Sequence, residues 1–200
     1  MTRTRSVAAT AAVLTAIAIA GCGGADESDP VASSSKPAPE QPTASAAPDT
    51  ARPGAGVSAL LAASRENAGK VIDGDIEKTL ASLKGVPVVV KQWASWCPQC
   101  EREFPYFQEL ADKYSDEVAF VGLNARDDRG AAEDYSAEAD LKFPSIFDSD
   151  GSQSAAIGAG RSWPTTVIFD AQGNRAVVKP GAFGSIDELD EYIRRFALTS

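Results

Sequence analysis

Cys97 and Cys100 stand in Trp93-Ala94-Ser95-Trp96-Cys97-Pro98-Gln99-Cys100, between an apolar, β-branched run and a segment with helical spacing. A C-x-x-C at a strand-to-helix junction is suited to thiol chemistry. The unsatisfied amides at a helix N-terminus, with the positive end of its dipole, stabilise a thiolate. Pro98 fits the first helical position, where a missing N–H costs nothing. Cys97 is therefore expected as the helix cap, exposed, with a lowered pKa, and as the nucleophile. Cys100, one turn inside, is expected to be more buried and to act as the resolving thiol. Cys97 would attack a partner disulfide, and Cys100 would release the product from the mixed disulfide; the reverse runs an oxidation. Two other uses of the pair are weak. A structural disulfide closing so small a loop constrains the unfolded chain little. A zinc site needs three or four ligands, and the 200 residues hold neither a second C-x-x-C nor any histidine.

The absence of histidine also removes Ser–His and Cys–His catalytic pairs and every imidazole metal site. Neither a metal nor a cofactor is indicated. The formal charge is −9, which opposes both a sequence-independent grip on nucleic acid and adhesion to anionic lipid. Any membrane attachment is then covalent or hydrophobic.

The beginning of the chain reads as an export signal. Arg3 and Arg5 precede an uncharged, mostly apolar run of fourteen residues, Val7 to Ala20, too short for a span of roughly 20 residues. The run ends in Ile19-Ala20-Gly21-Cys22, which resembles a bacterial lipobox, with Ile19 where leucine is more usual. That resemblance implies a leader over 1–21 and an acylated Cys22 as the new N-terminus. Residues 22–56, rich in Ala, Ser, Pro and Thr, bury too little apolar surface to offset chain ordering and read as a disordered tether. With Cys22 acylated, Cys97 and Cys100 remain an even pair in an exported chain, where disulfides persist.

Residues 57–200 read as the folded domain. Val57 to Ala63 and Ile76 to Leu83 are short helical stretches, while Val86 to Trp93 and Val118 to Leu123 are buried strands. Phe104, Phe107, Leu110 and Ala111 give Cys100 to Tyr114 a helical face, and Arg129 to Asp140 has helix-forming composition. Phe143 to Phe147 is extended, and Ser152 to Ala159 is a short helix. Thr165 to Phe169 and Arg175 to Lys179 flank a hairpin turn. Ser185 with Glu188 opens a last helix carrying Ile186, Leu189, Ile193 and Phe196 on one face. Parallel strands joined by helices, then an antiparallel hairpin, predict an α/β fold: a central mixed β-sheet flanked by helices, on the thioredoxin-like plan.

From roughly Lys70 to Leu198 the sequence resembles the extracytoplasmic thioredoxin-like proteins of the TlpA/ResA type, relatives of the cytochrome c maturation thioredoxins and of secreted DsbE-like proteins. The resemblance is carried by Val88 through Pro105, by Val118 through Asn124, and by Trp163-Pro164-Thr165-Thr166. It implies a protein disulfide oxidoreductase with Cys97 and Cys100 catalytic and Trp96 beside them. Pro164 matches the family's cis-proline, which would set the Trp163 backbone beside Cys97; Trp163 is bulkier than the family leads one to expect and would bear on partner choice. Glu103 matches an acidic residue implicated in proton transfer, one turn beyond Cys100; the alternative is a solvated surface glutamate. Lys91 departs from the Asp or Asn found there in relatives. Its cation would favour the Cys97 thiolate, or its amine would snorkel from a buried stem to water.

The implied partners are exported protein thiols and disulfides, with a redox donor or acceptor in the membrane, and the implied location is the outer face of the cell membrane, held by a lipid anchor on a monomer. The direction of transfer is not readable from Pro98-Gln99. Competing readings are a peroxiredoxin-like peroxidase, against which Ala94 stands where that family carries Thr, and a non-enzymatic binding or assembly lipoprotein.

Overall fold

A computed structural model describes residues 55–199; the expected leader, Cys22 and most of the expected tether lie outside the described residues. Every strand expected from the apolar runs and the hairpin forms; the central ones pair with elements distant in sequence, and the last strand pairs with the one before it across their hairpin. Strands β1 (Val71–Ile72), β2 (Val88–Trp93), β3 (Ala119–Ala125), β4 (Ser145–Asp148), β5 (Thr165–Phe169) and β6 (Arg175–Pro180) make one sheet in the order β1-β4-β3-β2-β5-β6. The first four run parallel to one another, β5 lies antiparallel to β2, and β6 lies antiparallel to β5. The helices are α1 (Ala55–Arg65), α2 (Ile76–Ser82), α3 (Pro98–Lys113), α4 (Arg129–Glu138), α5 (Ser152–Ala156) and α6 (Ile186–Phe196).

The two-residue period of a strand sorts the core into two layers. Val88 and Val90 of β2 pack with Leu61 of α1 and Ile76 of α2. Val89 and Trp93 face the other way, onto Phe104 and Phe107 of α3 and Leu189 and Ile193 of α6. Lys91 shares the parity of Val89 and Trp93, so the strand turns it beneath α3. That parity decides its chemistry.

At the centre, β3 and β4 must close tightly beside Trp93. A Cβ at Gly122 would lie 2.1 Å from Ser145 Oγ and 3.0 Å from Trp93 Nε1, the atoms that hydrogen-bond each other at 3.1 Å. Only glycine leaves room for that bond.

The sequence reading missed β1, whose two residues carry no periodic signal, and gave Phe143 to Phe147 as merely extended where Ser145–Asp148 is a strand inside the sheet. The last helix opens as expected, with Glu188 N–H donating to Ser185 Oγ at 3.2 Å. The returning bond of Glu188 goes to the Gly184 N–H at 2.7 Å.

Candidate active site

β2 and β3 are parallel, and Trp93 is in register with Asn124. Their C-terminal ends therefore lie abreast, and the loops leaving them share one edge of the sheet, the edge where ligands meet open parallel sheets. Cys97 sits there as the N-cap of α3, with extended backbone and Pro98 following inside the first turn. The Cys100 N–H donates to Cys97 Sγ at 3.1 Å. The two cysteines form a disulfide. Cys100 is fully buried, in line with its position one turn inside the helix, but Cys97 is only 4% exposed. The exposed cap expected from the sequence is thus corrected: Cys97 belongs to the core layer under α3, and half-buried Trp163 packs against that layer.

Trp96 covers the same rim. It is 54% exposed, the single large apolar side chain so exposed among the described residues. Its ring centroid lies 5.6 Å from that of Trp163, and its Nε1–H donates to the Arg126 carbonyl at 3.0 Å. The Trp163–Pro164 peptide bond is cis, and β5 begins immediately after it. The structure therefore brings Trp96, Cys97, Cys100, Trp163 and Pro164 to one edge.

Lys91 and Glu103 lie beneath them. Both are 1% exposed, and Lys91 Nζ reaches Glu103 Oε2 at 2.6 Å. This overturns two alternatives at once: Glu103 is no surface glutamate, and the Lys91 amine does not reach water. The physical reason is the meeting of two periodicities. Strand parity sends Lys91 toward α3, and helical spacing sets Glu103 on the same buried face as Cys100, Phe104 and Phe107. Glu103 also accepts from the Phe183 N–H at 2.5 Å, and Lys91 Nζ stands 4.2 Å from the Phe107 ring centroid. The lysine's charge, expected either to favour the Cys97 thiolate or to reach water, is instead compensated by a carboxylate within hydrogen-bond reach. Burial pushes the Lys91 ammonium down to about 8, against the pull of Glu103.

That shift has a sign that can be measured. Between pH 8 and the ordinary lysine value of 10.5, the unfolded chain holds a proton that the folded chain has released. The group's contribution to stability therefore rises with pH across that window and is flat below it, with a slope of at most about 1.4 kcal/mol per pH unit. Urea denaturation of the oxidised protein, taken as wild type minus Lys91→Met/Glu103→Leu, is expected to show this difference becoming more positive above pH 8. A gap constant to pH 10.5 would remove the buried ammonium from the account.

Sequence reasoning missed Asp127. Its carboxylate accepts from Ser95 twice, at the backbone N–H and at Oγ, the latter at 2.8 Å, and from Asn124 Nδ2 at 2.8 Å. The available signal was topological: loops that follow neighbouring parallel strands converge, so polar residues just past β3 belong to the site beyond β2.

The redoxin family pattern matches residues 45–191 of this chain. The thiol:disulfide interchange protein DsbE of Pseudomonas fluorescens is 35% identical over 119 residues, covering 59% of this chain and 63% of that protein. The thiol-disulfide oxidoreductase ResA of Bacillus thuringiensis is 30% identical over 117 residues, covering 58% of this chain and 66% of that one. The chain thus spans just under two thirds of the length of these two relatives. The crystal structure of a secreted Mycobacterium tuberculosis disulfide oxidoreductase, homologous to E. coli DsbE, superposes with a TM-score of 0.51 at 34% identity, covering 57% of this chain and 85% of that one. The fold is thioredoxin-like, as its strand and helix order predicts.

Proposed function

This chain belongs to the redoxin family, among its TlpA/ResA-like thioredoxins, and we propose that it is a thiol–disulfide oxidoreductase that exchanges disulfides with exported proteins through Cys97 and Cys100. The observation that carries the reading is the capping geometry. Cys97 Sγ already accepts a first-turn amide of α3, the arrangement that stabilises a thiolate once the disulfide is reduced.

In the reducing direction, the Cys97 thiolate attacks one sulfur of a substrate disulfide. A Cys97–substrate bond forms, the substrate's own S–S bond breaks, and the departing sulfur takes up a proton. Cys100 then loses its proton and attacks Cys97 Sγ, which restores the Cys97–Cys100 disulfide and frees the second substrate thiol. Two electrons have passed to the substrate. Glu103, on the buried face of α3 one turn beyond Cys100, is the proposed group for that proton. Trp96, Trp163 and Pro164 form the rim against which a substrate chain would lie.

The same steps reversed oxidise a dithiol, and the pair's potential against its partners sets the direction. The apolar run before Cys22 and the secreted relative support export, with Cys22 lipid-anchored on the outer face of the membrane. The partners would be exported protein thiols and a membrane redox donor or acceptor, met by a monomer.

Insulin turbidity with dithiothreitol tests the activity. The soluble portion is expected to accelerate precipitation well above the reagent alone, and a rate equal to the reagent's rejects the reading. Equilibration with a defined thiol couple then assigns the direction: about −270 mV makes a reductant, and about −120 mV an oxidant.

A further inference from the structure

Cys97 is delivered to α3 by a single tight turn. The Cys97 N–H donates to the Ala94 carbonyl at 3.1 Å, so Ser95 and Trp96 are the two central residues between them. Such a turn, free at its centre, would rest on one hydrogen bond. Here both central residues are held from outside, by the loop that follows β3.

Asp127 grips Ser95 with both carboxylate oxygens: Oδ2 accepts its N–H and Oδ1 its hydroxyl. The Arg126 carbonyl accepts the Trp96 indole N–H. The gripping loop is itself fixed. Arg126 is a non-glycine residue at φ 54°, its N–H donates to the Asp148 carbonyl at 3.0 Å, and its Nε donates to the Asp150 carbonyl at 3.2 Å. Asp128, next in the chain, is the N-cap of α4. Asn124, buried in β3, adds its amide to Asp127 Oδ2. The turn before Cys97 is thereby tied to β3, β4 and α4, and three of those ties converge on one carboxylate.

Resting on the exchange reading of Cys97 given above, we propose that Asp127 is a positioning residue for the nucleophile: it holds the Ala94–Cys97 turn so that the reduced Cys97 stays at the N-terminus of α3. In the oxidised protein the bond to Cys100 keeps Cys97 in place. Once that bond opens, the turn alone keeps the sulfur against the first-turn amides, and the thiolate depends on those amides. The hydrogen bonds of Asp127 go to Ser95, Asn124 and the Asp128 N–H, not to the sulfur, so it acts on Cys97 through Ser95.

The proposal has a sign that other roles lack. Removing a nearby negative charge would by itself make the thiolate easier to form and lower the Cys97 pKa. Losing the positioned turn takes the sulfur away from its amides and raises the pKa toward the free value of about 8.5. A purely structural role would reduce stability and leave the thiol titration where it was.

The experiment is the pH dependence of iodoacetamide alkylation of Cys97 in the reduced, full-length protein, for wild type, Asp127→Ala, Asp127→Asn, Ser95→Ala and the Asp127→Ala/Ser95→Ala pair. Asp127→Ala is expected to raise the apparent Cys97 pKa by about one unit, leaving about tenfold less thiolate at pH values well below it. Ser95→Ala, which keeps the backbone bond, should give a smaller rise. The double variant should not exceed Asp127→Ala, because the Ser95 hydroxyl works through the same carboxylate. Asp127→Asn, nearly isosteric and retaining one acceptor oxygen, should move the pKa upward by less, and it covers the case in which the alanine variant fails to fold. An unchanged or lowered pKa in Asp127→Asn or Asp127→Ala overturns the proposal, even if melting temperature falls. A wild-type Cys97 that titrates as free cysteine removes instead the exchange reading on which it rests.

Discussion

Cys97→Ala will abolish disulfide exchange, with a loss on the order of a thousandfold or more, whereas Cys100→Ala will complete the first half of the reaction and stop. The asymmetry follows from where the helix places each sulfur. Cys97 caps α3 at the rim, next in the chain to exposed Trp96, whose ring meets that of Trp163. Both sulfurs belong to buried residues, but Cys97 keeps 4% exposure where Cys100 has none, so of the two it is Cys97 that an incoming protein disulfide can reach. With Cys97 gone, no thiolate stands where the helix amides converge. With Cys100 gone, the mixed disulfide on Cys97 still forms but meets no second thiol to resolve it. Cys100→Ala should therefore accumulate covalent adducts whose masses identify the substrates, one per protein. Trapping by Cys97→Ala in place of Cys100→Ala would reverse the assignment of nucleophile and resolver, and equal trapping by both would abolish it.

How much of this was legible in the sequence depends on the range of the interaction. The Cys97 cap, Pro98 in the first turn and the Ser185 cap of the last helix are local, and residues adjacent in the chain announced them. The buried strands were visible as apolar runs, and the hairpin as a turn composition. β1 was not, because Val71 and Ile72 become a strand only through β4 beside them. Lys91 shows the boundary most clearly. Its place on a strand six residues before Cys97 could be read from the sequence, but its partner could not, since Glu103 meets it only when strand parity and helix spacing are superposed in three dimensions. The burial of Cys97 was misread for the same reason: Trp163, which packs on its core layer, lies far along the chain. Asp127 escaped because a carboxylate in a loop looks solvated until the neighbouring loop is laid against it.

The buried pair gives the second large effect. Lys91→Met leaves Glu103 with one amide donor and no cation, 1% exposed, and should cost about 3–5 kcal/mol in urea denaturation. Glu103→Leu strands the ammonium instead, and the lowered pKa of Lys91 already reports how poorly that cavity holds a charge. Lys91→Met/Glu103→Leu removes both charges together with both desolvation penalties, and should return to within about 1 kcal/mol of wild type or exceed it. A double variant that loses as much as the two single variants combined would mean that the ions act independently, which a 2.6 Å contact does not allow. The comparison also separates stability from chemistry. If an apolar pair folds as well as the ionic one, folding gives no reason for a lysine and a glutamate beneath the active helix, and their use must lie in the reaction. The double variant should then form mixed disulfides at Cys97 normally yet resolve them more slowly, by about a hundredfold or more if Glu103 takes the Cys100 proton as proposed. Rapid resolution in a stable double variant would assign that proton to water.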